Sequence, residues 1–291
     1  MTMKKTITLL DGATGTSLWA LSDNKNPVWT YNLDNPGLVK KLFKDFADVG
    51  AEIISTNTFG ANRPAVEASS DMPVLEVVKA AVRLARQARE EKIQEDSRFS
   101  GLKIALDFGP MSSLLEPWGD LTYDDCRAAY AEILAAGMSE GPDMIFLMTF
   151  MDLDMLRIAA EEALKYDVPV FATMSFTEHG RTIMGNSPED MIEALEPLGI
   201  SALGVNCSLG PDKALPILKD FAAHTDLPLI FKPNAGIPIL SEGGGSAVPC
   251  TPESFTDAFV PALEYASYVG GCCGTDPVYL KAIKNRIDAQ I

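Results

Sequence analysis

Short apolar runs rich in β-branched residues alternate with longer stretches of helical periodicity along the whole chain. The runs fall at 7–10, 52–59, 102–108, 144–150, 168–176, 202–207, 228–232 and 268–271, and runs of this length and composition read as strands. Between them the chemistry of helix starts is visible. Asn35-Pro36 places a cap residue ahead of a proline at the first helical position. Thr122-Tyr123-Asp124-Asp125 resembles a capping box, and Ser187-Pro188-Glu189-Asp190 carries acids in its first turn, at the positive end of the helix dipole. The stretch 72–95 has apolar residues at helical spacing and a charged far end.

Eight strands, each followed by a helix, with no break in composition, predict the α/β class and a single (β/α)8 TIM barrel occupying residues 1–291 as one domain. Such a barrel needs about 250 residues, so the length fits. The alternative is an open doubly wound sheet. Its glycine-rich signature is poorly matched, because Gly12-Ala13-Thr14-Gly15-Thr16 has the wrong spacing and no strand-end acid follows at the usual distance.

Charge narrows the partners. With 24 basic and 40 acidic residues the chain carries a formal charge of −16 and no basic stripe, which argues against nucleic acid and against an anionic membrane surface. No apolar run approaches the roughly 18 residues of a membrane span. The first apolar stretch stops at Asp11-Gly12, too short for the core of a signal peptide. Five cysteines, an odd number with two adjacent, do not make a disulfide framework, so a reducing cytoplasm is expected.

Candidate chemistry collects at strand ends, which converge on the active face of a barrel. Asp11 ends the first strand, Asn57 the second, Asp107 the third; Asp152 follows the fourth, Cys207 ends the sixth, Asn234 the seventh, and Cys272-Cys273 the eighth. Adjacent cysteines rarely bond to each other without strain. Flanked by glycines, as in Gly270-Gly271-Cys272-Cys273-Gly274, both can turn their sulfurs to one ion, and Cys207 lies two strands away. Three thiolates suit tetrahedral Zn2+ with one open position, the pattern of a catalytic site. Such a site activates an incoming thiol better than it generates hydroxide, since three thiolates leave the metal a weak Lewis acid. Cys126, among alanines in a helix, reads as core, and Cys250 falls in the glycine- and proline-rich stretch 241–252, which reads equally as a lid or as a solvated connection.

Asp11-Gly12-Ala13-Thr14-Gly15-Thr16, Ser55-Thr56-Asn57-Thr58-Phe59-Gly60-Ala61, Val205-Asn206-Cys207-Ser208, Pro233-Asn234-Ala235-Gly236 and Gly270-Gly271-Cys272-Cys273-Gly274-Thr275 together resemble the homocysteine S-methyltransferases, in the family's order and over nearly the whole chain. That group includes the homocysteine domain of cobalamin-dependent methionine synthase and betaine–homocysteine methyltransferase. The resemblance implies a zinc-dependent barrel that methylates homocysteine sulfur, with Cys207, Cys272 and Cys273 as the zinc ligands and catalytic centre. It implies that Asp11 and the amides around Gly15 and Thr16 hold the amino-acid end of the substrate, with Asn206 counted among the substrate-binding residues. Asn234 would lend its amide to the open metal position or orient the thiol; its other reading is a turn-forming residue after proline.

One departure bears on the acceptor. The family commonly carries a glutamate at the end of the fourth strand, where it would bind the substrate ammonium; here Leu147-Met148-Thr149-Phe150-Met151-Asp152 has Met148 in that place. Either the thiol lacks an α-amino group, or homocysteine is held more weakly by Asp11 alone, or Asp152 or Glu178 compensates. Glu178-His179 after the fifth strand reads as a substrate contact or a surface turn. The chain leaves no room for corrinoid- or folate-binding domains, so the methyl donor is expected to be a sulfonium, a quaternary amine or a separate methylated corrinoid protein. Quaternary amines are often held on aromatic faces, and Trp19, Trp29, Tyr31 and Trp118 are placed in loops on the catalytic side. A second reading keeps the barrel as a zinc-binding partner of a corrinoid protein that no longer turns over homocysteine.

Overall fold

In the computed structural model, which describes residues 6–23, 26–236 and 250–290, eight parallel strands form one sheet in the order β1-β8-β7-β6-β5-β4-β3-β2. They are β1 (Thr8–Leu9), β2 (Ile53–Ser55), β3 (Lys103–Phe108), β4 (Met144–Phe150), β5 (Val170–Met174), β6 (Ala202–Asn206), β7 (Leu229–Lys232) and β8 (Tyr268–Val269). A parallel bridge between Leu10 and Ile53 joins β1 to β2 and closes the ring. The expected TIM barrel is the observed fold.

The strand ends move for local reasons. β2 was expected to reach Phe59 but stops at Ser55, because the Thr58 N–H turns back to the Thr56 carbonyl at 2.9 Å. β5 starts at Val170 rather than 168, since the Val168 N–H is taken by the Tyr166 carbonyl at 2.9 Å and Pro169 has no N–H to offer. The predicted helix starts hold. Val74–Glu95 begins one residue after Pro73, the Thr122 hydroxyl accepts from the Asp125 N–H at 3.1 Å, and Ser187 and Asp190 make a complete reciprocal box. Asn35 occupies its cap position without a side-chain cap bond.

Two cores result. Leu10, Ile53, Ala105, Met144, Phe146, Phe171, Ala202 and Ile230 fill the barrel interior, with the Phe146 and Phe171 rings edge to face at 5.8 Å. A larger core lies between the sheet and the surrounding helices and includes Cys126, which is fully buried as expected. Each large side chain so buried contributes roughly 1.5–3 kcal/mol of transfer free energy. The interior core separates the two ends of the barrel: one cavity opens at the strand N-terminal end, lined by Thr8, Lys103, Phe171 and Tyr268, and another at the C-terminal mouth, where the catalytic face of this fold lies. Among the described residues no helix is long and apolar enough to cross a membrane. The predicted stretch 241–252 lies outside the described residues up to position 249; from Cys250 the chain leads into the helix Pro252–Phe259.

Candidate metal centre and substrate pocket

A cavity of about 330 Å³ opens at the mouth, lined by the glycine-rich turn after β1, by Asn57, Asp107, Met148 and Lys232, and by Cys207, Cys272 and Cys273. The three sulfurs all lie within 4.8 Å of one another, and those of Cys207 and Cys273 are 3.7 Å apart.

Backbone geometry aims these sulfurs. Cys207 and Ser208 both sit in the left-handed region, at φ 61° and 55°, where non-glycine residues pay a local energy of about 1–3 kcal/mol. Their conformation is held from outside: the Cys207 N–H donates to the Lys232 carbonyl at 3.0 Å, and the Ser208 hydroxyl meets that of Ser175. On the other side of the cluster the Cys272 N–H donates to the Pro233 carbonyl at 2.9 Å, and the Cys272 carbonyl accepts from both the N–H and the hydroxyl of Thr275. Gly274, at φ 83°, makes the turn that follows; a Cβ there would lie 2.5 Å from the Gly236 carbonyl oxygen. Glycine is required at that point.

Asn206 is a brace rather than a pocket wall. Fully buried at the end of β6, it accepts from the Thr149 N–H at 3.0 Å, donates to the Thr149 hydroxyl at 2.7 Å, and approaches the Cys272 sulfur at 3.7 Å. Thr149 is itself left-handed, at φ 65°, at a break in the β4–β5 register. A β-branched residue in that conformation is an outlier that the Asn206 clamp sustains.

The cysteines share charge unequally. Hydrogen bonds from Cys272 and then Cys273 draw the Cys207 thiol down to about 3, against the opposing pull of burial. Hydrogen bonding to Cys207, reinforced by burial, pushes Cys272 up and Cys273 up to about 11. The cluster therefore behaves as one thiolate held by two thiols. The buried Asn234 amide makes no hydrogen bond of full geometry among the described residues, yet contributes to the lowering at Cys207.

Below the cluster lies a buried ion pair that sequence reasoning passed over. Lys232, only 1% exposed, ends the apolar strand β7 and reaches the Asp11 carboxylate at 2.6 Å, above the Phe146 ring at 5.7 Å from its centroid. Asp11 also accepts from the Ser55 N–H at 2.6 Å and the Ser55 hydroxyl at 3.2 Å, and it is fully buried away from the cavity lining. Asp11, expected to hold the amino-acid end of the substrate, thus meets protein donors with both of its oxygens within the barrel. The only sequence signal for the pair was a lysine closing an apolar strand.

The remaining expectations sort as follows. Gly15 and Thr16 line the cavity in the first turn of the helix Thr14–Leu21, which carries neither a side-chain cap nor an acid there. Met148, 7% exposed, also faces the cavity. Neither proposed substitute for the missing acid reaches it: Asp152 caps the helix Leu153–Ala163, and exposed Glu178 pairs with Lys213 at 2.7 Å. Trp19 borders the cavity from a helix rather than a loop, Trp29 and Tyr31 are buried, and Trp118 is exposed. Exposed Cys250 stands outside the cluster.

A family model described as homocysteine S-methyltransferase matches residues 8–287. The chain belongs to the homocysteine S-methyltransferase family, a family of methyltransferases. It is 28% identical over 292 residues to a methionine synthase of Mycobacterium tuberculosis and 27% identical over 301 residues to that of Mycobacterium leprae, covering 94% and 97% of this chain. It spans about a quarter of the length of those relatives, 24% in each case. Among solved structures, the metallated form of the homocysteine methyltransferase MmuM from Escherichia coli shares the fold at a TM-score of 0.81 with 23% identity, over 97% of both chains. The apo form of the same protein aligns at 0.76.

Proposed function

We propose that this family member is a zinc-dependent methyltransferase that transfers a methyl group to the sulfur of homocysteine, giving methionine, with Cys207, Cys272 and Cys273 as the zinc ligands. The convergence of three cysteine sulfurs at the cavity wall carries this reading. Sulfurs in tetrahedral contact with zinc at about 2.3 Å are about 3.8 Å apart, and the Cys207–Cys273 spacing of 3.7 Å matches. Held by Cys207, Cys272 and Cys273, zinc would supply deprotonation of an incoming thiol near neutral pH, and the excess negative charge of three thiolates would keep that sulfur nucleophilic.

The chain's own groups supply binding and orientation. The first N–H groups of the helix Thr14–Leu21 have no intrahelical partner, and those of Gly15 and Thr16 border the cavity, where they suit an α-carboxylate. Asn206 holds Thr149 and contacts Cys272, so the sulfur arrangement is set before substrate enters. Val28, Phe59, Trp19 and Met148 give the cavity an apolar wall that excludes water from the reacting sulfur. Neither of the two histidines lines the cavity, which agrees with a reaction needing no general base.

Metal analysis with a donor panel tests the reading. Purified protein should hold about one zinc per chain, and Cys273→Ser should lose most of it. Zinc-loaded protein given homocysteine and S-methylmethionine, betaine or a methylated corrinoid protein should form methionine with at least one donor, and the productive donor names the partner. Full zinc retention by Cys273→Ser, or methylation of other thiols only, would overturn it.

A further inference from the structure

On the homocysteine reading, two of the acceptor's three functional groups have partners already described: the thiol at the cysteines and the carboxylate at the helix start. The α-ammonium has none that is not already engaged. Met148 cannot receive it, Asp11 is engaged by Lys232 and Ser55, Asp152 caps a helix, and Glu178 is tied to Lys213 on the surface.

One acid at the mouth is free. Asp107, next to last in β3, lies beside β4 in register with Phe146, whose side chain shares the barrel interior with Met148. It lines the same cavity as the cysteines, is only 5% exposed, and its Oδ1 meets no hydrogen-bond donor among the described residues. Its backbone is fixed nonetheless: the Asp107 N–H donates to the Thr56 hydroxyl at 3.0 Å, and the Thr58 hydroxyl donates to its carbonyl. A buried carboxyl oxygen left without a donor is costly, so its place at the cavity on a fixed backbone points to a ligand that completes it.

The surrounding charge fits a cation. Lys232 and Asp11 face Asp107 from β7 and β1 and already neutralise each other. Burial, with a smaller contribution from Asp11, pushes the Asp107 carboxyl well up, and Lys232 offsets only part of this. A positive group arriving beside Asp107 would balance its charge without disturbing the pair.

We propose that Asp107 receives the α-ammonium of the acceptor amino acid, taking on the far side of the mouth the role that Met148 leaves vacant. The acceptor then spans the cavity, with its thiol at Cys207, Cys272 and Cys273, its carboxylate at Gly15 and Thr16, and its ammonium at Asp107. This assignment rests on the homocysteine reading and adds the residue that selects an amino acid over a plain thiol acid.

Titration calorimetry on the zinc-loaded protein tests it without needing the donor. The two ligands are L-homocysteine and 4-mercaptobutyrate, which is homocysteine without its amino group. Wild-type protein should bind homocysteine roughly 10- to 100-fold more tightly, as expected for one charge-assisted contact. Asp107→Asn, nearly the same shape, should lose that preference while binding 4-mercaptobutyrate as before. Asp107→Ser is the second variant should the first fail to fold, and circular dichroism checks both. An Asp107→Asn protein that keeps the preference overturns the assignment, as does one that weakens both ligands equally or a wild type without the preference. Wild-type protein that binds neither thiol removes the homocysteine reading, and this inference with it.

Discussion

The two sides of the barrel mouth are built differently. On the β6–β8 side every backbone turn that carries a cysteine is tied down, with strained conformations at Cys207 and Ser208 held by partners on other strands. On the β3–β4 side β3 pairs in regular register with the start of β4, the break at Thr149 lies toward β5, and the cavity receives an unpaired acid and a thioether. The first side takes its geometry from contacts within the chain. The second leaves a polar group for the substrate to complete, so changes there should alter which molecule binds rather than whether the cluster forms.

The Lys232–Asp11 pair lies beneath both sides, and breaking it should give the largest effect. Lys232→Met strands Asp11 as an uncompensated buried charge and should cost roughly 3–5 kcal/mol in urea unfolding. Adding Asp11→Asn, which keeps an acceptor for Ser55, should recover part of that loss. A loss below about 1 kcal/mol would mean that the pair is not a common foundation for the two sides.

The next effect isolates the cysteine side. With Cys207 deprotonated at neutral pH and Cys272 and Cys273 pushed up, metal uptake must displace two protons. Protons compete with metal, so apparent zinc affinity should rise with pH, by about 100-fold per unit around neutrality. Chelator competition at several pH values measures the slope, and a slope near zero would contradict the picture of one thiolate and two thiols.

Asn206→Leu should act more mildly. It leaves the Thr149 N–H without its acceptor and removes the contact to Cys272, so zinc affinity should fall by about 10- to 100-fold while the barrel stays folded. Unchanged affinity would show that the cysteine side holds its shape without this brace, weakening the contrast between the two halves.

The barrel and its cysteines were legible because each left a local mark: apolar runs at regular intervals, cap residues before helices, and glycines around adjacent cysteines. What escaped depended on distant partners. A lysine closing an apolar strand gives no sign of pairing with a residue 221 positions away. Thr149 lies in a run that reads as strand throughout, and its left-handed backbone follows from a clamp by Asn206, 57 residues on. Asp11 was assigned from a motif, yet its motif neighbours Gly15 and Thr16 reach the cavity while its own carboxylate turns inward to Ser55 and Lys232. Asp107 was recognised as a strand-end acid, but the absence of a partner is a property of the folded neighbourhood.

The strand order has a consequence for how the protein is made. β8 lies between β7 and β1, so the first strand waits for the last before it gains its second neighbour. Two of the three clustered sulfurs follow β8, and the lysine that neutralises Asp11 precedes it by fewer than 40 residues. During synthesis the chain thus has the lysine for Asp11 shortly before β8, but only one of the three cysteines until β8 and the turn after it are made. Closure over such long sequence separations is intrinsically slow, and metal capture should serve as a late marker that the ring has shut.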